Sequence, residues 1–330
     1  NSNSLPSLLM SSTDSQQAFL HSCLEQGTSG PTLLRGVEVL REVRELKRLH
    51  GSHFRIILCY TSNLISSGVR DVLAWLLRHP ENLIDVVITT AGGAEEDCIK
   101  CLGPTVIGAF DTSGVDLRKQ GLNRVGNLLI PNQNYVLFES FFCPILTRLA
   151  AGNAAHGGIV APSSVLRSMG EKLQREHPDS AHDSVCVAAS ARGVPIYCPA
   201  FTDGSMGDMS FFFGISNPDA LVIDPLIDFD ALVRTMQDAS AGLAVVCFGA
   251  GLPRHHALMA ASLAASLGGI CRITHALFVD SAPADGLSES GSTIAQYVDR
   301  GCLSPHSTAV RIELDATIAA PFLVQQAFAS

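Results

Sequence analysis

Residues 296–304 read QYVDRGCLS. Cys302 there is either a nucleophilic thiol or a small packed hydrophobe, since an unactivated Cys behaves as the latter. The base nearest in sequence is His306, but Pro305 intervenes and is expected to end any helix running through the stretch. Three glycine- or hydroxyl-rich turns offer binding chemistry. They are Thr61-Ser62-Asn63, the run from Thr89 to Asp97 (TTAGGAEED), and the run from Gly249 to His256 (GAGLPRHH). Small residues let a ligand approach the backbone, and a helix start favours phosphate. A carboxylate such as Glu95 or Glu96 suits ribose hydroxyls. The composition fits a dinucleotide, yet G-x-G-x-x-G is absent, because Gly249-Ala250-Gly251 leads to Arg254. Each turn by itself reads more readily as ordinary turn chemistry than as a binding site. In FTDGSMGDM (Phe201–Met209), Asp203 and Asp208 suit an amine or a ribose, with helix capping by Asp203 the alternative. His255 and His256 at a helix start are either acid–base groups or ordinary first-turn residues. The four lysines are Lys47, Lys100, Lys119 and Lys172, so residues 173–330 supply no Schiff-base amine. Arginine, always protonated, is no substitute. Cys98 and Cys101 form one C-x-x-C with no second pair, which reads as two turns of a helix and assigns no metal.

These residues need positioning. Thr32–His50 has an amphipathic helical pattern. Strand-like runs follow at Phe54–Tyr60, Leu83–Thr90, Val194–Cys198, Ala220–Asp224, Leu243–Phe248 and His275–Asp280. Helical patterns at Ser66–His79, Glu95–Cys101, Phe229–Ala239 and His255–Leu267 separate them. Strand and helix in alternation predict an α/β fold: a Rossmann-like doubly wound, mostly parallel sheet with helices on both faces, in a single domain. In such folds ligands bind beyond the carboxyl ends of strands, where the three turns fall. Asn123–Ser163 breaks the rhythm and is expected to be an irregular excursion. Residues 1–31 read as a polar arm and 32–330 as the folded domain.

With 47% hydrophobic and 16% charged residues the chain is globular. A net charge of −9 argues against nucleic acid. The ten cysteines are scattered through apolar runs, which points to a reducing, cytoplasmic compartment. The opening residues lack a signal-peptide pattern. Apolar windows such as Ala257–Cys271 fall short of a membrane span of about 20 residues, so no membrane association is expected.

Long stretches, taken together, resemble deoxyhypusine synthase. They are CYTSNLISSGVRDVL (59–73), VITTAGGAEEDCIKCLGPT (87–105), NRVGNLLIPNQNY (123–135), VPIYCPAFTDGSMGDMSFF (194–212) and GAGLPRHH (249–256), with the tail Asp315–Ala329. They occur in the family's order across most of residues 32–330. The resemblance implies a Rossmann-like domain, a tetramer and NAD as cofactor. It also implies transfer of the aminobutyl group of spermidine to one lysine of the hypusine-containing translation factor, through an imine on an enzyme lysine. Carried over residue by residue, the NAD side is retained at Ser62, Asn63, Thr90, Ala91, Gly92, Glu95, Glu96, Asp203, Gly249, Gly251, Ser281 and Asp315. On the spermidine side, Asp208 and His255 match.

The other half of the family's site departs from the pattern. Aligned back from the tail, the family's Trp-Gly-Lys falls on Arg300, Gly301 and Cys302. Its glutamate falls on Gln296, and two aspartates fall on Glu289 and Gly286, the latter beside Asp285. A thiol forms no imine with an aminobutyl group. Arg300 sets a cation where an aromatic ring would face a cationic amine. The chain therefore resembles the family's catalytically dead regulatory paralogue, known from trypanosomatids. By that resemblance it pairs with an active, lysine-bearing paralogue in a heterotetramer and meets spermidine and the translation-factor precursor only through the complex. Two other readings stay open: an enzyme of altered chemistry using Cys302, and an NAD-binding scaffold with no synthase partner.

Overall fold

The computed structural model describes residues 29–268, 273–284 and 289–329. The chain runs from α1 (Ser29–His50) into β1 (Phe54–Tyr60), α2 (Ser62–Ser66), α3 (Arg70–Arg78), β2 (Val86–Ile88) and α4 (Ala91–Leu102). Next come β3 (Val106–Ile107), α5 (Gly114–Lys119), β4 (Leu122–Val125), β5 (Leu128–Pro131) and α6 (Asn132–Asn153). The middle of the chain holds β6 (Ile159–Val160), α7 (Pro162–Glu176), α8 (Val185–Arg192), β7 (Ile196–Tyr197), α9 (Ser205–Ser216), β8 (Val222–Ile223) and α10 (Pro225–Gln237). It closes with β9 (Gly242–Phe248), α11 (Leu252–Ser266), β10 (Ile273–Asp280), α12 (Ile294–Asp299), β11 (Leu303–Glu313) and α13 (Ala316–Phe328).

Six strands form one parallel sheet in the order β11-β10-β9-β1-β2-β7. The fold is the expected doubly wound α/β domain. Its strand order reverses between β1 and β9, the crevice where such sheets bind ligands. β1 shows why its sequence is a continuous apolar run. Ile56, Leu58 and Tyr60 face one core, built with α1, α3, α4 and α13. Ile57 and Cys59 face the other, built with α10, α11 and α12. A strand covered on both faces needs no polar alternation.

Several expectations need correction. Residues 123–163 are not irregular: β4 and β5 pair antiparallel, with β3 on the far side of β5, and α6 runs 22 residues. Among the described residues α6 is the one helix long and apolar enough to cross a membrane. One face of it packs into the core through Phe138, Phe142, Ile145 and Leu146. The strand expected at Ala220–Asp224 exists as β8, but it pairs with β6 outside the main sheet. The helix expected over Ser66–His79 is divided into α2 and α3 near Gly68, whose φ of 95° leaves the helical region. β11 was not anticipated. Its start, with Ser304, Pro305 and His306, reads as a loop, and an edge strand tolerates Pro because one side of its backbone needs no partner. Residues 1–28 of the expected arm, together with Asp285 and Gly286, lie outside the described residues.

Candidate functional site

The carboxyl ends of all six strands lie along one edge of the sheet. Ser62 and Asn63 open α2 just past β1. Thr90 caps α4 past β2 by accepting from the Gly93 N–H at 3.2 Å, and Ala91, Gly92, Glu95 and Glu96 lie on its first turns. Asp203 and Asp208 follow β7, and Gly249, Gly251 and His255 follow β9. Ser281 follows β10, and Asp315 follows β11. Every residue assigned to the cofactor side is thus brought to the same edge.

The local chemistry explains the small residues. Gly249 has φ 99°, and a Cβ there would lie 2.1 Å from Thr61 Oγ1, so the β9 turn passes directly over the β1 turn. A Cβ on Gly93 would lie 2.1 Å from Thr89 Oγ1, which donates to Tyr60 O at 3.0 Å and ties β2 to β1. Gly251 has φ 75° and precedes α11 without a side-chain cap, and it accepts the His255 N–H on its own carbonyl at 3.0 Å, so the turn is closed by backbone alone and keeps the crevice wall free of side chains at Gly249 and Gly251. These features fit the phosphates of a dinucleotide at the switch point.

The acidic residues divide their work. Glu95 accepts from the Met206 N–H at 2.9 Å, so it, and not Asp203, caps α9. Burial pushes its carboxyl above the ordinary range. The Met206 and Ser205 N–H groups oppose that shift, and the nearby Asp208 and Asp203 add to it. Glu96 accepts from Ser66 Oγ, and burial raises it too. Asp315 accepts from the Thr317 N–H at 2.8 Å and caps α13. Asp208 is exposed and lines a cavity of about 480 Å³ between α6 and α9, together with Glu139, Cys143, Phe212 and Phe213. Two carboxylates beside aromatic faces suit an ammonium group. His255 is exposed. His256 packs on Phe229 with ring centroids 5.0 Å apart, and burial, followed by the neighbouring His255, pushes it down to about 4.

The stretch 296–304 has a specific local structure. Gln296 forms a capping box with Thr293: its Oε1 accepts from the Thr293 N–H at 2.8 Å, and its own N–H donates to Thr293 Oγ1 at 3.3 Å. α12 ends at Asp299, with Arg300 as its C-cap and the left-handed Gly301 (φ 73°) just beyond, and does not run on to Pro305 as expected. The Cys302 N–H donates to Tyr297 O at 3.0 Å and the Gly301 N–H to Val298 O at 2.9 Å. This is the Schellman pattern, in which the residue after the glycine packs back on the helix. Cys302 is that residue. It is 3% exposed in the apolar cluster of Phe278, Tyr297 and Leu303, while Arg300 and His306 are exposed.

One feature that holds this edge together escaped sequence reasoning. Arg254, within GAGLPRHH, is wholly buried and donates to Asp280 Oδ2 at 2.6 Å. Arg311 donates to Asp280 Oδ1 at 2.6 Å and to Ser290 O at 3.2 Å. The Arg254 guanidinium lies 5.4 Å from the Phe278 ring centroid and 5.8 Å from that of Tyr297. The cluster joins the turns after β9 and β10 to α12. The only available signal was a charge inside an otherwise apolar helix, followed by Asp at the end of an apolar strand.

The C-x-x-C cysteines lie buried on α4, as the helical reading expects. Asp97, Cys98 and Cys186 come together nearby, but Asp97 Oδ2 accepts from Ser184 Oγ at 2.7 Å and from the Cys186 N–H at 2.9 Å, with Arg70 alongside. That carboxylate is already committed to holding α8 against α4.

A family profile for deoxyhypusine synthase matches residues 19–327. An inactive deoxyhypusine synthase from Leishmania donovani is 40% identical over 273 residues, covering 82% of this chain and 68% of that protein. A deoxyhypusine synthase regulatory subunit from Trypanosoma brucei brucei is 41% identical over 274 residues, covering 82% and 76%. A homospermidine synthase from Senecio vernalis is 37% identical over 287 residues, covering 86% and 74%. A crystal structure provisionally named as a deoxyhypusine synthase from Entamoeba histolytica superposes with a TM-score of 0.64 over 97% of each chain at 19% identity, a likeness of fold. Those relatives, and the order of motifs along the sheet's carboxyl edge, make this chain a member of the deoxyhypusine synthase family.

Proposed function

We propose that this chain is a catalytically inactive regulatory subunit of deoxyhypusine synthase. It pairs with a lysine-bearing paralogue in a heterotetramer and raises that paralogue's NAD-dependent transfer of the aminobutyl group from spermidine to the translation-factor precursor. The observation that carries the reading is Cys302. The position aligned with the imine lysine holds a thiol buried behind Tyr297 as part of a helix-ending turn. Burial there also argues against Cys302 as a nucleophile of altered chemistry. The opposite half of the site keeps its binding groups. NAD would lie across the switch point, its phosphates toward Gly249, Gly251 and the start of α11. Ser62, Asn63, Thr90, Ala91, Gly92, Glu96, Ser281 and Asp315 would surround it, with Glu95 and Asp203 at the α9 side. Bound NAD supplies a hydride acceptor. In the mixed interface, the partner contributes the lysine half, and this chain contributes Asp208 and His255 toward the ammonium groups of spermidine. The reciprocal interface, with Cys302 and Arg300, is silent. The names of the Leishmania and Trypanosoma relatives support the same role, and the buried thiols suit a cytoplasmic setting.

Deoxyhypusine formation tests this directly. The chain alone should be silent with spermidine, NAD and precursor, and titration into a fixed amount of paralogue should give a rise that saturates near equimolar. Turnover by the chain alone, or indifference of the paralogue to it, overturns the reading.

A further inference from the structure

The turns after β1 and β2 are tied to each other by two side chains of α4. α2 is only five residues long and ends two residues before Gly68, where φ is 95°. A helix that stops leaves carbonyls without intrahelical partners. Lys100 supplies donors for two of them: its Nζ donates to Ile65 O at 2.7 Å and to Ser66 O at 2.6 Å. An ammonium at that end also meets the negative pole of the backbone dipoles. Glu96 stands one turn back on the same face of α4, and its Oε2 accepts from Ser66 Oγ.

That grip leaves one carboxylate oxygen at the crevice. With Oε2 taken by Ser66, Glu96 Oε1 accepts no hydrogen bond among the described residues. It lies 3.6 Å from where a Cβ on Gly92 would stand, and the same point is 3.1 Å from Ser62 Cβ. Oε1 therefore sits between the two turns assigned to the cofactor. Burial raises the Glu96 carboxyl above its ordinary range. The Ser66 hydroxyl and the Lys100 cation oppose that rise, and Glu95 adds to it. Burial lowers Lys100, as does Arg70 on α3, while Glu96 and Asp97 hold it up. Tyr135 on α6 is the titratable group that faces Glu96 and Glu95 from the neighbouring helix.

We propose that Lys100 is a positioning residue of the cofactor side: it fixes the α2 turn against α4 and keeps the Glu96 carboxylate in place as an acceptor for a ligand hydroxyl. The inference rests on the reading that this crevice binds NAD. Lys100 itself touches no ligand and acts through Ser62, Asn63 and Glu96. Without the cation, the effect of burial on Glu96 is opposed by Ser66 alone, so the carboxyl takes up its proton at a higher pH. Protonation turns one acceptor oxygen into a donor.

The test is calorimetric titration of the full chain with NAD across mildly acid to mildly alkaline pH. Lys100→Met should weaken binding roughly tenfold at the alkaline end, for the charge-assisted hydrogen bonds it removes. It should also move the acid loss of affinity to higher pH. Lys100→Gln keeps a donor and most of the packing but no charge, so it should show the same pH shift with a smaller loss at the alkaline end. Lys100→Arg keeps the cation and should restore both. Glu96→Gln should flatten the acid limb whichever residue stands at position 100. A residue that only props the fold would weaken binding evenly at every pH. Even weakening, or affinity indifferent to Lys100→Met and Lys100→Gln, overturns the role of Lys100 and leaves the cofactor reading standing. A wild-type chain that binds no NAD at any pH overturns the cofactor reading, and the role of Lys100 with it.

Discussion

On the proposed reading Cys302 stands where the family's imine lysine falls, and its surroundings bear on what a single substitution there would do. The side chain packs at the end of α12 against Tyr297 and Phe278. A lysine there would bring an ammonium into an apolar cluster already adjacent to the Arg254 cation. Burying an uncompensated charge costs several kcal/mol after relaxation, so Cys302→Lys should destabilise by about 2–4 kcal/mol in urea unfolding. Synthase activity of the chain alone should remain absent, since Arg300 and Gln296 also differ from the family's pattern. Full stability with measurable turnover would mean that the lysine reaches the partner-facing surface. Gln296 offers the contrasting case. Glutamate serves a capping box as well as glutamine does, so Gln296→Glu should shift stability by no more than about 0.5 kcal/mol. The charge missing from this position is therefore not required by the fold.

Between elements, the edge that carries the site is held by polar groups reaching across long stretches of chain. Glu95 on α4 caps α9 from 111 residues away. Glu95→Ala should cost about 1–2 kcal/mol, the usual effect of losing a cap. It should also weaken any response that depends on Asp208, which rides on α9. The Arg254–Asp280–Arg311 cluster is stiffer: Asp280→Asn leaves two arginines facing a neutral amide and should lower unfolding stability by about 3–5 kcal/mol. His256, between α11 and α10, sets an acid limit. Its folded value is about 4 against an ordinary 6.5, so the unfolded chain takes up the proton first. Its contribution is complete above pH 6.5 and lost as pH falls toward 4, by at most about 3 kcal/mol. His256→Gln should flatten that limb of a stability–pH profile, and an unchanged limb would show that other groups set it. What the sequence disclosed follows the same division. The apolar runs of β1, β9 and β10 and the turns after them were legible because burial on both faces and glycine-dependent turns leave local signals. β11, the α6 excursion and the buried Asp280 cluster were not, because an edge strand looks polar and a long-range ion pair leaves no periodicity. Asp203 was a plausible cap by local pattern, yet the cap comes from a residue that only the fold brings near.

At the scale of the molecule, several large apolar side chains stand exposed beside the acidic cavity. Phe211, Phe212 and Ile215 on α9 are 64%, 65% and 62% exposed, and Val136 and Leu137 lie exposed on α6. Glu139 and Asp208 line the cavity between these two helices. Contiguous apolar side chains rimmed by charge mark association surfaces, and large aromatic residues carry most of the energy there. Under the regulatory reading, a partner seated on this face would close the open side of the Asp208 cavity, so pairing and completion of a shared site would be one event. Phe212→Glu should then leave the thermal unfolding of this chain nearly unchanged, because the side chain is already in water. It should weaken pairing with the paralogue by about 2 kcal/mol or more, roughly thirtyfold, as read by light scattering or sedimentation of the mixture. Activation should fall in parallel with the fraction paired. Leu49→Glu on α1, 72% exposed and packed on no part of α9, is the matched apolar-to-acid control and should leave both nearly unchanged. If Phe212→Glu pairs normally but no longer activates, the face touches the reacting site without holding the subunits together. If it pairs and activates as the wild type does, the interface lies elsewhere, and the apolar face of α11 formed by Leu252, Met259 and Leu263 becomes the surface to alter next.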